Sequence, residues 1–442
     1  MLCKLALPLL MFARTATHYG HAMKKLLLLF CSLLATTAGA QEIVLRHSLG
    51  GGKLDTLATI VLRFNDAQKG KGKVILEDAS TDTEHQGRVH LGFLDVADSM
   101  AFFGTLPRFI PLHQMMKENG QTLTTAEFLP QVADAVDDAS GRLQALPLGL
   151  SFPVLFLNRT WLAKAGKTSP IEPHSWADLQ ELAGDLRTSG STCPLTSSNF
   201  SWIHVENLAA QHGQPILPTP MNRRDAAMFR VNGLVNVKHL ALLATWQRSK
   251  YFVYAGAGRE ADARFLSGEC AMLTGESSLY GEMLRRGVDA AVVPLPTYDD
   301  MSEARASDVL PDGSALWVLA GGKKPEYQLM ARFVRFLMQP DVQREWVKGT
   351  TFLPMSAAGL KVLQESNNIP ASQKDALIKR LSAPKKASER LRAGTTREHL
   401  RGVFGEMVQF VWSEKFPAKQ ALDETSLRAN AASPSNLPQK SK

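Results

Sequence analysis

Residues 43–76, IVLRHSLGGGKLDTLATIVLRFNDAQKGKGKVIL, hold the pattern that decides the fold. Ile43-Val44-Leu45 reads as a short buried strand, and the turn-rich His47-Ser48-Leu49-Gly50-Gly51-Gly52 follows it. Leu54, Leu57, Ile60, Val61 and Phe64 then recur at the spacing of one helix face. Val74-Ile75-Leu76 is an apolar run short enough to be a second strand. Strand, helix and strand in succession predict an α/β layout with parallel pairing, because a helical crossover lets the next strand start from the same end.

The alternation continues outward from this stretch. Leu91 to Leu94 and Val154-Leu155-Phe156-Leu157 read as buried strands, as do Ala271-Met272-Leu273, Ala290 to Val293 and Ala315 to Leu319. Ser175 can cap a helix that carries Trp176, Leu179, Leu182 and Leu186 on one face, with Asp178 near its positive end. Leu329, Phe333, Val334 and Leu337 mark a helix that Pro340 stops, and another starts at Asp341 with Val342, Trp346 and Val347 buried. From about Ser426 the chain is rich in Ser, Asn, Pro and Lys and reads as a loose tail. The chain has 442 residues, too many for one ordinary core, so two or three domains are expected. Clefts between α/β lobes, at the carboxyl ends of strands, are common ligand sites.

The first forty residues are of another kind. Lys24 and Lys25 precede the apolar run Leu26 to Leu34, and the small-x-small site Ala38-Gly39-Ala40 precedes Gln41. This order predicts a secretory signal over 1–40, with Met23 the better start than Met1. Cys31 follows Leu29 and Phe30 rather than small residues, which argues against lipidation. The whole chain has a formal charge of +8; losing Lys4, Arg14, Lys24 and Lys25 leaves 46 cations against 42 acids. That balance argues against nucleic acid as a partner. Cys193 and Cys270 remain in the mature part. An oxidising compartment permits them to pair, but nothing in their positions shows that they meet.

Several catalytic and cofactor motifs fail. Gly50-Gly51-Gly52-Lys53 is not a phosphate loop, because Leu54 stands where Ser or Thr holds magnesium. Gly275-Glu276-Ser277-Ser278-Leu279 lacks the closing glycine of a nucleophile elbow. His85, His90 and Asp95 match no standard metal spacing, so neither a metal nor another cofactor is expected, and no enzyme is indicated.

Taken together, several segments resemble the extracellular solute-binding proteins of ABC importers, above all the subgroup that binds sn-glycerol 3-phosphate and its diesters. They are His47-Ser48 with the helix to Arg63-Phe64-Asn65; Leu146-Pro147 through Ser151-Phe152-Pro153 to Asn158; Ser175 to Leu179; Trp202-Ile203 with Glu206-Asn207; Gly268 to Met272; Gly313 to Val318; Phe352-Leu353-Pro354; and Arg392 through Arg401 to Trp412. The resemblance implies a periplasmic binding protein-like fold, with two α/β lobes, a hinge and a ligand cleft between them. It implies an N-terminal lobe of 41–150 plus 292–338, a C-terminal lobe of 151–291 plus 339–425, and a tail of 426–442. The first crossing is expected near Gly149 to Ser151. It also implies a periplasmic monomer that captures a small polar solute and delivers it to a permease in the inner membrane.

Residue roles follow from the same resemblance. Ser151 matches a serine that hydrogen-bonds the ligand, and Arg401 the arginine expected to meet the phosphate with a two-pronged guanidinium. Gly313 matches a glycine whose backbone approaches the ligand. Asp95 falls where a carboxylate accepts from glycerol hydroxyls, although it could instead cap a helix starting at Ser99. Trp202 matches a cleft tryptophan, with core packing as the competing role. Phe352 stands where a tyrosine donates to the phosphate, so that hydroxyl is missing. Glu276 or Ser277 falls where a serine stands, and a glutamate there would repel phosphate. The segment from Asp78 to His90 is shorter than its counterparts. These departures leave a neutral sugar or a larger phosphodiester as the second reading, and a secreted hydrolase as a third.

Overall fold

In a computed structural model of the chain, residues 41–79, 88–96, 108–138, 140–168, 170–214, 216–217, 228–301, 309–365, 374, 378–379, 381–382 and 397–431 are described. The expected signal segment and the helix start at Ser99 lie outside them. β1 (Gln41–His47) and β2 (Gly72–Asp78) pair in parallel, and the helix Gly51–Ala67 between them buries Leu57, Ile60, Val61 and Phe64. β3 (Leu91–Asp95) joins the other side of β1, also in parallel, and β4 (Phe109–Ile110) and β5 (Leu146–Ser151) follow. The chain then enters a second sheet of β6 (Pro153–Asn158), β7 (Leu195–Ser197), β8 (Phe252–Val253), β9 (Met272–Glu276) and β10 (Ala290–Val293). β11 (Asp312–Leu319) returns to the first sheet.

The sheet orders are β2-β1-β3-β11-β4, with β5 also pairing β11, and β10-β6-β9-β7-β8. β7 is parallel to β8 and β9, whereas β6 is antiparallel to β9 and β10. β11 is antiparallel to β3, β4 and β5, because it arrives from the other lobe rather than through a helical crossover. The expected parallel pairing is therefore found for β1 with β2 and β3 and for β7 with β8 and β9, and not for β6 or β11. Each sheet has its own apolar core. Phe64, Trp317, Phe333 and Trp346 centre the first, and Trp176, Phe200, Trp246 and Phe404 the second. This is the two-lobed α/β architecture of periplasmic binding proteins.

Among the described residues, the chain changes lobe three times. The first passage is at Phe152, one residue beyond the expected range, where Phe152 and Ser277 exchange two hydrogen bonds of 2.8 and 3.1 Å. The second lies between Tyr298 and Val309, and the third between Leu381 and Leu400, as their core memberships show. Two stretches fall on the other lobe from the one expected. β10, Leu295 and Tyr298 belong to the second lobe, because β10 pairs with β6 and closes that core. Helix Pro340–Thr350 and helix Ala357–Glu365 belong to the first. Val342, Trp346, Phe352 and Leu360 are buried there, and the Trp346 indole donates to the Leu148 carbonyl at 2.7 Å. The stretch from Ser426 to Ala431, expected to belong to a loose tail, is helical instead. Helix Ala418–Ala431 carries Ser426 and Asn430, whose side chains accept from the backbone N–H groups of Val231 and Phe229.

Cys193 and Cys270 are joined in a fully buried disulfide that ties the entry of β7 to the entry of β9. Ser175 caps helix Trp176–Thr188 as expected. Its hydroxyl accepts from Asp178 N–H at 3.1 Å, and the Asp178 carboxylate accepts in return from Ser175 N–H at 2.9 Å. Those backbone N–H bonds, that of Ser175 first, hold the Asp178 carboxyl below its ordinary pKa.

Candidate binding cleft

A cleft of about 840 Å³ opens between the two sheets. That is toward the upper end of the roughly 300–1,000 Å³ usual for small-molecule sites. From the first lobe it is lined by the end of β1 and the turn after it (Arg46, His47, Ser48), by Lys53, by Phe93 and Asp95 of β3, and by Gly149, Gly313 and Phe352. From the second lobe come Asn199, Arg259, Asp262, Glu276, Ser278, Glu282, Arg285 and Arg286. Most of these follow the carboxyl end of a strand: β1 for Lys53, β7 for Asn199, β8 for Arg259 and β9 for Ser278. That is where α/β sheets place their sites.

Of the residues expected to bind, Asp95, Glu276, Gly313 and Phe352 line this cleft. Asp95 ends β3 opposite Ser314. Glu276 accepts from the Asn199 amide at 2.8 Å and from the Ser278 hydroxyl at 3.2 Å, with Arg259 at 3.5 Å. Phe352 packs on Trp346, with ring centroids 6.0 Å apart, and the Lys53 ammonium lies 4.3 Å over its ring. Gly313 has φ +133°, and a Cβ there would sit 2.4 Å from the Gly149 carbonyl oxygen. The glycine is therefore required by the close β5–β11 approach, whatever else its backbone meets.

The other four expected residues stand away from the main cleft wall. Ser151 is buried at the end of β5, and its hydroxyl has no hydrogen-bond partner among the described residues. Ser277 is occupied with the Phe152 backbone. Trp202 is buried in a π-helical turn, Trp202–Asn207, and its indole donates to the Leu310 carbonyl at 3.1 Å. Wide turns of this kind recur at functional places. Here the turn also aims Asn207 at Leu310 N–H, 2.7 Å away, and Glu206 at Arg401. Trp202 and Arg401 together line a side pocket of about 80 Å³, which shares Asn199 with the main cleft.

Arg401 lies on helix Arg397–Trp412 and is held by carboxylates from both lobes. Its Nε and Nη2 donate to Glu206 at 2.7 and 3.0 Å, and Nη2 also pairs with Asp312 at the start of β11. Burial alone lowers the pKa of the guanidinium. Asp312, then Glu206, with Asp95 behind them, outweigh that effect and hold it well above its ordinary value. Arg397 approaches Glu206 at 3.8 Å. The bridge ties the start of β11 to the second lobe's core.

Sequence reasoning missed Lys53, Asn199, Arg259, Asp262 and Arg285. Lys53 stood in plain view within the rejected Gly50-Gly51-Gly52-Lys53 tract, and only its position after β1 could have pointed to the cleft. Asn199 has a positive φ of 47°, a conformation asparagine tolerates in turns. Asp262 accepts from the Ser198 hydroxyl and from Arg259 Nε at 3.0 Å, and burial raises its pKa. Among the described residues no group of three or more His, Cys, Asp and Glu side chains is arranged to hold a metal. His85 of the rejected metal set lies outside them.

A sequence profile described as "Bacterial extracellular solute-binding protein" matches residues 64–371. The sn-glycerol-3-phosphate-binding periplasmic protein UgpB of Yersinia enterocolitica is 30% identical over 319 residues, covering 71% of this chain and 72% of its own length. Its counterpart from Rhizobium meliloti is 26% identical over 411 residues, covering 89% and 94%. Among solved structures, UgpB from Mycobacterium tuberculosis in complex with glycerophosphocholine superimposes with a TM-score of 0.65 at 15% identity, over 88% of this chain and 98% of that one. Maltose-bound MalE3 of T. maritima does so with 0.67 at 16%, over 88% and 99%. At such identities the two superpositions speak for the fold alone.

Proposed function

Since the chain belongs to the bacterial extracellular solute-binding proteins, we propose that it captures sn-glycerol 3-phosphate, or a related glycerophosphodiester or polyol, and delivers it to an ABC permease in the inner membrane. One observation carries this reading. The interlobe cleft is lined by side chains of both charge signs at once, Arg46, Lys53, Arg259, Arg285 and Arg286 beside Asp95, Asp262, Glu276 and Glu282. Such a wall can meet hydroxyls with carboxylates and one anionic group with a cation. Asp95 and Glu276 are the acceptors offered for hydroxyls, and Phe352 an apolar floor for the carbon chain. The volume leaves room beyond a three-carbon phosphate for a diester substituent.

Binding is non-covalent, and closure of the lobes converts occupancy into a shape a permease can read. The curated relatives are periplasmic proteins, and a buried disulfide suits an oxidising compartment. Export by the segment over 1–40 completes the reading. A neutral oligosaccharide is favoured instead by the carboxylate partners that most of the cleft cations already have.

A thermal-shift panel of sn-glycerol 3-phosphate, glycerophosphocholine and maltotriose on unfolded and refolded protein separates the two. A ligand at one hundred times its Kd adds about 2.7 kcal/mol of stability. A clear rise in Tm with either glycerol phosphate supports the proposal. A rise with maltotriose alone replaces it.

A further inference from the structure

Resting on the reading of the cleft as the solute site, we infer that Lys53 is the residue that meets the solute's anionic group, and that Arg401 serves as a bridge between lobes. Most cations of the cleft are already paired with carboxylates. Arg285 and Arg286 both pair with Glu282 at 2.6 Å. Arg259 pairs with Asp262 at 3.0 Å and Glu276 at 3.5 Å, and Arg46 with Glu77 at 3.5 Å. Arg401, off the main wall, is divided between Glu206 and Asp312. Lys53 alone among the described cleft-lining cations forms no ion pair. Its ammonium donates to the neutral Ser278 hydroxyl at 2.9 Å and lies over the Phe352 ring, which offers no acceptor oxygen.

A lysine has three donors, so two remain for a ligand. Lys53 is also placed where the lobes meet. It projects from the helix of the first lobe and touches Ser278 of the second, so an anion bound to it is gripped from both sides. The charged groups facing it are Glu276 at the end of β9, Asp262 in the first turn of helix Glu260–Leu266, Arg259 just before that helix, and Arg285 of helix Tyr280–Arg285. Burial outweighs the pull of Glu276 and brings the ammonium down to about 8. A phosphate arriving there would bring a negative charge into direct contact with the ammonium and raise its pKa again.

Titration calorimetry with sn-glycerol 3-phosphate tests this on the wild type, Lys53→Met and Lys53→Arg. A charge-assisted hydrogen bond lost to Met weakens binding about 10- to 100-fold, whereas Arg keeps the charge and most of the affinity. The wild type should also bind about tenfold more weakly at pH 9.5 than at pH 7.5, as the lysine loses its proton. That drop should vanish in Lys53→Arg, which stays charged at both values. A purely structural lysine would not confer this pH profile. If Lys53→Met binds within twofold of wild type, or the pH drop persists in Lys53→Arg, the inference is overturned while the function stands. A wild-type protein that takes maltotriose and no organophosphate overturns both.

Discussion

Replacing Arg401 by methionine removes the guanidinium that pairs with Glu206 and Asp312 together. Glu206 is fully buried and Asp312 is 8% exposed, so neither can turn to water when its partner goes. Arg397, at 3.8 Å from Glu206, is too far to take over a two-pronged contact. Breaking a buried pair from one side costs about 3–5 kcal/mol, because the remaining charge stays desolvated. At roughly 1 °C per kcal/mol for a chain of some 400 folded residues, Tm falls by about 5 °C. Urea unfolding followed by tryptophan fluorescence gives the free energy directly. A double-mutant cycle identifies the cause. Glu206→Gln added to Arg401→Met should cost about 1–3 kcal/mol less than the two single changes together, since the second removes the charge stranded by the first. If Arg401→Met costs under about 1 kcal/mol and adds independently to Glu206→Gln, the carboxylate bridge is not what holds this part of the molecule.

Other expectations concern the cores. His204 and His239 are buried, hydrogen-bonded to each other at 2.8 Å and onward to Ser197, Thr274 and Tyr298. Burial pushes His204 down to about 3 and His239 well below 6.5. The unfolded chain then binds more protons below pH 6.5, so stability present above that value is lost as pH falls toward 3; His204 alone should cost about 2 kcal/mol at pH 5. Unfolding at pH 7.5 and 5.0 measures this, and a flat profile contradicts it. Replacing both Cys193 and Cys270 by alanine opens a loop with a sequence separation of 77. The chain-entropy relation puts the loss at about 4.5 kcal/mol, read by denaturation with and without reductant. Gly313→Ala forces a Cβ to 2.4 Å from the Gly149 carbonyl at a φ suited to glycine. At least about 1–3 kcal/mol of backbone strain follows before the clash is counted, and wild-type stability in urea would contradict the geometry.

The strands that could be read directly were those with continuous apolar runs, such as Ile43-Val44-Leu45 and Val154 to Leu157, because both faces of their sheets are covered. β5 was invisible to that test. Pro147 and Gly149 look like turn residues, yet Gly149 is small because Phe93 and the Ser314 carbonyl would crowd any Cβ. Helix Pro340–Thr350 was legible as a helix but not as part of the first lobe, since an amphipathic face does not say which of two cores it will cover. Phe352 and Gly313 could be tied to the cleft by resemblance. Lys53 could not, because its importance depends on which carboxylates its fellow cations have already found.

Local order and family membership were thus determined by the sequence by itself. Periodicity specifies the helix faces, apolar runs specify the strands, and the Ser175 cap specifies where a helix begins, because all three act between near neighbours in the chain. The partners of Arg401, the idle charge on Lys53 and the meeting of Cys193 with Cys270 were decided only in three dimensions. Each joins residues dozens to hundreds of positions apart. Electrostatic pairing depends on distance and burial, and neither is written in the order of the residues.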